Sequence, residues 1–280
     1  MSTNADFFRR AQITDATLRV RSLKEVGEFY RNVLGLKEII DGETTSEQSN
    51  KLLALSANGQ TPALLILEED PAAPERVPGT PGLFHIAYLY PDRASLADAL
   101  QRLMDLRYPL QGASDHGVSE AIYLADPEGN GIELYADRPA EKWLREGRDV
   151  AMYTEALDMP DLLAQRHGPV SLPYSVPAEM SIGHMHLQVS DLAKAGSVAT
   201  GELGMKVRQK NYPGALFLAY DNYHHHLGMN AWGVRRAANP ESLGLKSFTL
   251  RLDAELLPST HQIEAANLDA VRVDLVINKS

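Results

Sequence analysis

Nine histidines and one glutamate on an apolar segment carry most of the chemistry open to this 280-residue chain. The histidines are His85, His116, His167, His184, His186, His224, His225, His226 and His261. A lone histidine is as a rule a surface group or a hydrogen-bonded core residue, so position must separate reactive ones from the rest. His85 stands in GLFHIAYLY and His184 in IGHMHLQV, at corresponding places of two strand-like runs: His85-Ile86-Ala87-Tyr88 parallels His184-Met185-His186-Leu187. Glu133 stands in GIELYAD between Ile132 and Leu134, where burying an ionised carboxylate is costly unless a cation or metal pairs with it. Two imidazoles and one carboxylate on one face of a non-haem Fe(II) leave three coordination positions open. That suits a reaction in which an organic chelate and a gas molecule share one metal.

Composition removes several other chemistries. Cysteine is absent, which excludes disulfides, thiolate metal sites and cysteine nucleophiles. The 27 basic against 37 acidic residues give a net charge of −10, and such a surface repels phosphate backbones and anionic lipid. Nucleic acid and membrane are therefore not expected partners. No apolar run approaches the ~20 residues that span a bilayer, and MSTNADFFRRAQ lacks a secretory core and cleavage site, so the expected location is cytoplasmic. With 44% apolar and 23% charged residues the balance is that of a globular protein, at a length that makes one large or two ordinary domains.

The elements that must position these residues come from a repeat. Residues 13–37 align without a gap on residues 182–206, with identities at Ile13/Ile182, Leu18/Leu187, Val20/Val189, Leu23/Leu192, Gly27/Gly196, Leu34/Leu203, Gly35/Gly204 and Lys37/Lys206. Each copy reads as strand, helix, strand. Leu18 and Val20 alternate with polar residues as on a half-buried strand. Ser22 and Asp191 suit helix N-caps. Leu23, Val26, Tyr30 and Leu34 make one apolar helix face, which Gly35 ends. A second unit follows in the first half: strand GLFHIAYLY, helix ASLADALQRLMDL, and strands EAIYLAD and GIELYAD joined by the turn Pro127-Glu128-Gly129-Asn130, which Asp126 and Asn130 shape. A fourth unit begins at LKSFTLRLD, continues in a helix near Ala254–Ala266 and ends in DAVRVDLVINKS. The predicted fold is α+β: four βαβββ modules in two domains, the last module degraded. The domains are 1–140 and 181–280, joined by a Pro-rich linker at 141–180 that carries a small helix at 159–165.

Four strings resemble the vicinal-oxygen-chelate superfamily, which includes glyoxalase I, fosfomycin-resistance proteins and extradiol ring-cleaving dioxygenases. They are PGLFHIAYLYPDR, HGVSEAIYLADPEGNGIELYADRP, IGHMHLQVSDL and YHHHLGMNAW. Together they are most similar to bacterial two-domain catechol-2,3-dioxygenases, over nearly the whole chain up to about Leu250. The resemblance implies a metal site at His85, His184 and Glu133. Asp15 and Ser247 take the equivalent places in modules one and four, so it implies a single metal where module two meets module three. It implies Fe(II), or Mn(II) in its place, with a small aromatic diol and O2 as substrates, and it admits a homo-oligomer. A His-His segment supplies an acid–base histidine in such enzymes; His225 is favoured here, with His224 and His226 as alternates. Tyr123, ten residues before Glu133, matches the tyrosine that hydrogen-bonds the substrate oxygen, and His116 orients substrate or a ligand. Plain strand packing remains the other reading of Tyr123, and a polar strand edge that of the His triplet. His186 shares a face with His184, Trp232 and Phe84 suit a pocket wall, and His167 and His261 read as solvent-facing.

Two other readings compete. A glyoxalase-type isomerase uses a second glutamate, and its place near Met229-Asn230 holds none; a fosfomycin-type enzyme is compatible with two His and one Glu but belongs to much shorter chains. A small-molecule binder on the same fold predicts an apolar cleft without metal.

Overall fold

The computed structural model describes residues 10–40, 51–146, 149–169, 172–209, 211–257 and 264–278. In module one, β1 (Ala11–Val20) leads into α1 (Leu23–Phe29), which continues as a π-helical turn at Tyr30–Leu34. The Ser22 hydroxyl accepts the Glu25 amide hydrogen at the helix start, and Gly35 ends it with φ 87°. Val26, Phe29, Tyr30 and Leu34 are buried, as their spacing requires. β2 (Lys37–Glu38), β3 (Leu52–Ser56) and β4 (Leu65–Glu69) complete the module.

Module two repeats the plan with β5 (Gly82–Leu89), α2 (Arg93–Asp105), β6 (Gly112–Asp115), β7 (Ser119–Ala125) and β8 (Gly131–Asp137). Asp92 caps α2, and Leu96, Leu100 and Leu103 form its buried face. Asp126 Oδ1 accepts the amide hydrogens of Glu128 and Asn130, both at 2.9 Å, which holds the β7–β8 turn. The following segment is built into the fold. β9 (Arg145–Glu146) pairs with β10 (Asp149–Val150), β11 (Glu155–Ala156) extends the sheet beside β6, and α3 (Met159–Leu163) is capped by Asp158.

Module three comprises β12 (Ser181–Gln188), α4 (Leu192–Gly201), β13 (Lys206–Gln209), β14 (Ala215–Ala219) and β15 (Leu227–Asn230), with Asp191 capping α4. Module four comprises β16 (Gly244–Asp253), β17 (Ala265–Leu268) and β18 (Val271–Asn278). The helix expected near 254–266 is not formed over its described residues. Ala254–Leu256 make one 3-10 turn, and Ala265 and Ala266 lie in β17, opposite Asp274 and Val273. Alanine favours helix, but Ala266 and Leu268 are buried while Asn267 is exposed, a period of two that strand pairing satisfies. Residues 258–263, His261 among them, lie outside the described residues.

Among the described residues, sixteen strands of the four modules and the segment after β8 form one sheet. Within it β5 pairs antiparallel with β12, and β1 with β16, so module two curves against module three and module one against module four. A single register pair, Ile13 with Ile182, joins β1 to β12 between these cups.

Candidate active site

The concave face of modules two and three gathers the chemistry. β8 runs parallel to β5 and sets Glu133 opposite Ala87; β12 runs antiparallel and sets His186 opposite His85. Register shifts on β12 flank His184 and His186, and such bulges re-aim side chains. As a result His85 Nε2 lies 2.9 Å, and His184 Nε2 3.2 Å, from the same oxygen, Glu133 Oε2. The three ligand atoms lie within 4.8 Å of one another, and among the described residues they are the one His/Asp/Glu group that converges so. All three residues are buried.

Burial alone would raise the Glu133 carboxyl, but the His184 and His85 rings outweigh it and hold the group well below the usual carboxylate range. Burial lowers His184 to about 4 although Glu133 pulls it up, so its ring keeps a lone pair near neutral pH. His85 Nε2 makes no hydrogen bond of proper geometry despite its 2.9 Å approach to Glu133, and His184 Nδ1 has no partner either. Leaving a buried polar atom unmatched is costly. His184 Nε2 hydrogen-bonds Glu133 Oε2 at 3.2 Å, and two imidazole nitrogens brought to one carboxylate oxygen form a donor set that fits a first-row divalent cation.

A cavity of about 400 Å³ opens beside these atoms, mostly apolar, with Phe84, His186, Phe217 and Trp232 on one side and Tyr123 and His116 on the other. Tyr123 stands opposite Glu133 on the neighbouring strand. Its oxygen lies 2.7 Å from His116 Nε2, while His116 Nδ1 lies 2.9 Å from the Tyr153 carbonyl oxygen. A carbonyl only accepts, so Nδ1 carries the hydrogen and, in the neutral ring, Nε2 accepts the Tyr123 O–H. Burial, and then Glu133, hold that hydroxyl well above its ordinary pKa, and it stays protonated.

Of the histidine triplet only His225 lines the cavity; His224 and His226 are fully buried. The His225 ring centre is 4.1 Å from that of His184 and 5.0 Å from that of Phe217. Burial lowers its pKa well below the ordinary histidine value. Behind it, His225 Nδ1 lies 2.7 Å from His224 Nδ1, and His224 Nε2 2.8 Å from Asp137 Oδ1. The Tyr223 hydroxyl donates to Asp137 Oδ2 at 3.0 Å. His186 also faces the cavity: Asn230 Oδ1 accepts the Trp232 amide hydrogen, so Asn230 Nδ2 donates to His186 Nε2 at 3.0 Å.

The structure thus brings His85, Glu133, His184, His225, Tyr123 and His116 to one cavity. It leaves His167 at the surface beside Asp98. Asp15, at the equivalent place in module one, accepts hydrogen bonds from Thr14 and Thr249, and Ser247 pairs in register with Thr17. Sequence reasoning overlooked Asp137, Asn230 and the segment Met152-Tyr153-Thr154, which lines the cavity. Asp137 shares the strand period of Glu133 and Tyr135, a signal that was present. The loop segment has no such period.

The profile of the Glyoxalase/Bleomycin resistance protein/Dioxygenase superfamily matches residues 12–134. The chain is 42% identical over 228 residues to catechol-2,3-dioxygenase of Bacillus subtilis, across 79% of this chain and 75% of the relative. It is 28% identical over 125 residues to biphenyl-2,3-diol 1,2-dioxygenase 3 of Rhodococcus globerulus, across 43% of this chain and 60% of the relative. Glyoxalase I from Zea mays shares the fold at a TM-score of 0.55 and 15% identity, over 95% of this chain and 92% of that one. With four strand-rich modules, two of them closing on a His/Glu/His cluster, and close identity along most of its length to one curated relative, the chain belongs to the glyoxalase/bleomycin resistance protein/dioxygenase superfamily.

Proposed function

We propose that this protein is an extradiol ring-cleaving dioxygenase in which His85, His184 and Glu133 hold one Fe(II), or Mn(II) in its place, and the substrates are a small aromatic vicinal diol and O2. The observation that carries the reading is the convergence of three buried ligand atoms on the wall of an aromatic-lined cavity. Identity to a catechol-2,3-dioxygenase supports it. A cation held by these three residues would supply Lewis acidity that eases the loss of protons from a diol in the cavity and the redox chemistry with dioxygen. The protein residues do the rest. Phe84, Phe217 and Trp232 bound an apolar slot that orients a flat ring. His225 accepts a diol proton and returns it as the ring opens. Tyr123 turns its O–H from His116 Nε2 toward the ring oxygen and steadies the charge developing there. The product is a 2-hydroxymuconic semialdehyde type of compound.

The isomerase reading needs a second glutamate at the end of β15, where Met229 and Asn230 stand instead. Among the described residues no helix is long and apolar enough to cross a membrane, and the reading assigns the protein no membrane or nucleic-acid partner. Anaerobic loading with Fe(II), then catechol and air, tests the proposal. Yellow ring-opened product with about one iron per chain is the expected result, and iron-loaded protein that leaves catechol intact refutes it.

A further inference from the structure

Asp137, His224 and His225 form a buried chain that ends at the cavity, and only the last member touches it. The hydrogens along this chain follow from what each group can give. The Asp137 carboxylate has no hydrogen to donate, so His224 holds one on Nε2 and donates it across 2.8 Å. Where that ring carries this one hydrogen only, its Nδ1 offers a lone pair, and the 2.7 Å contact is made by a hydrogen on His225 Nδ1. That leaves the second nitrogen of His225, on the ring edge away from His224, with a lone pair. The Asp137 end is itself fixed. Its other oxygen accepts the Tyr223 O–H, and the Tyr223 and Tyr135 hydroxyl oxygens lie 2.8 Å apart. The His224 ring is clamped between Tyr223 at 4.0 Å and Trp143 at 5.2 Å, centre to centre. This chain cannot swivel without breaking contacts on both sides.

We infer that Asp137 and His224 are positioning residues that fix His225 as the Nδ1–H tautomer, with the Nε2 lone pair presented to the cavity as the proton acceptor. A histidine of the opposite tautomer would present an N–H where a base is required. The proton taken from a diol oxygen goes to His225 Nε2, while the Nδ1 hydrogen stays on His225, held against His224 Nδ1, so one hydrogen moves and no other bond changes. The inference rests on the dioxygenase reading for the use of that lone pair, but the tautomer itself does not.

The test therefore has two arms on the full-length chain. In metal-free protein labelled with ¹⁵N-histidine, nitrogen shifts should show His225 Nδ1 protonated and Nε2 bare; Asp137→Asn should mix the two tautomers. In the iron-loaded enzyme, Asp137→Asn should lower kcat for catechol at least about tenfold, with KM and iron content within about twofold. His224→Phe, which keeps a ring between Tyr223 and Trp143 but has no nitrogen, should do the same and serves if the first variant fails to fold. A wild-type His225 carrying its hydrogen on Nε2 overturns the inference, as does an unchanged kcat in both variants. Iron-loaded wild type that does not cleave catechol refutes the dioxygenase reading alone, and the ¹⁵N arm then decides the tautomer.

Discussion

Gly131 begins β8, two residues before Glu133, and lies against the backbone of β5. A Cβ placed on it would stand 1.9 Å from the Phe84 carbonyl oxygen and 3.4 Å from His85 Cα. Real Cβ contacts do not fall below 3.0 Å, so Gly131→Ala must part the two strands by about 1.1 Å at the point where one carries His85 and the other leads to Glu133. The obstacle is main chain, which cannot turn aside as a side chain would. Transmitted to the site, this opens the 2.9 Å approach of His85 Nε2 to Glu133 Oε2 toward about 4 Å, far outside the ~0.2 Å tolerance of a metal ligand. Overpacking of this kind costs about 1–3 kcal/mol of stability. Affinity for Fe(II) should fall about 10–100-fold, the range seen when groups that orient ligands are disturbed. Anaerobic iron titration, with circular dichroism to verify folding, measures both. A folded Gly131→Ala protein with wild-type iron affinity would show that strand spacing does not set the ligand geometry.

Single replacement of His85, His184 or Glu133 by alanine should abolish iron retention; near-normal iron in a folded variant, read by elemental analysis, would remove that residue from the site. Tyr123→Phe removes the hydroxyl that bonds His116, and turnover of catechol should fall about tenfold or more with iron content unchanged, a comparison made by steady-state kinetics. Burial lifts Asp126 from 3.8 to about 6, against the pull of its hydrogen bonds from Asn130 and Glu128. Its folded state holds the proton more tightly than the unfolded chain does, so the stability tied to this group is present below pH 3.8 and lost as pH climbs toward 6. Asp126→Asn should flatten that slope by roughly 3 kcal/mol between about pH 4 and pH 7, visible in urea unfolding at the two ends. An identical slope in wild type and variant would place the pH sensitivity elsewhere.

Much of the architecture is legible in the sequence because local signals agree. The 169-residue repeat, the caps at Ser22 and Asp191 and the alternation along β5 and β12 each state an element whose neighbours need the same one. His85, Glu133 and His184 stand out because polar groups on apolar strands demand partners. The meeting of β5 with β12 is legible only through the ligand set, which requires module two to reach module three, and no comparable signal marks the pairing of β1 with β16. Choosing among His224, His225 and His226 likewise depends on which ring turns to the cavity, and consecutive residues before a short strand obey no simple alternation. The Ala-rich stretch before β18 misleads because intrinsic preference is weak against the pairing of β17. The Tyr153 carbonyl that fixes His116 belongs to irregular backbone, where no period marks a role.

The converging residues lie on both halves of the polypeptide, Glu133 and His184 being 51 positions apart. An ion seated there would act as a rivet between β5, β8 and β12, limiting the freedom of the unravelled chain as a cross-link does. A protein so built would gain rigidity from its cargo, and neither half expressed by itself would possess a complete grip.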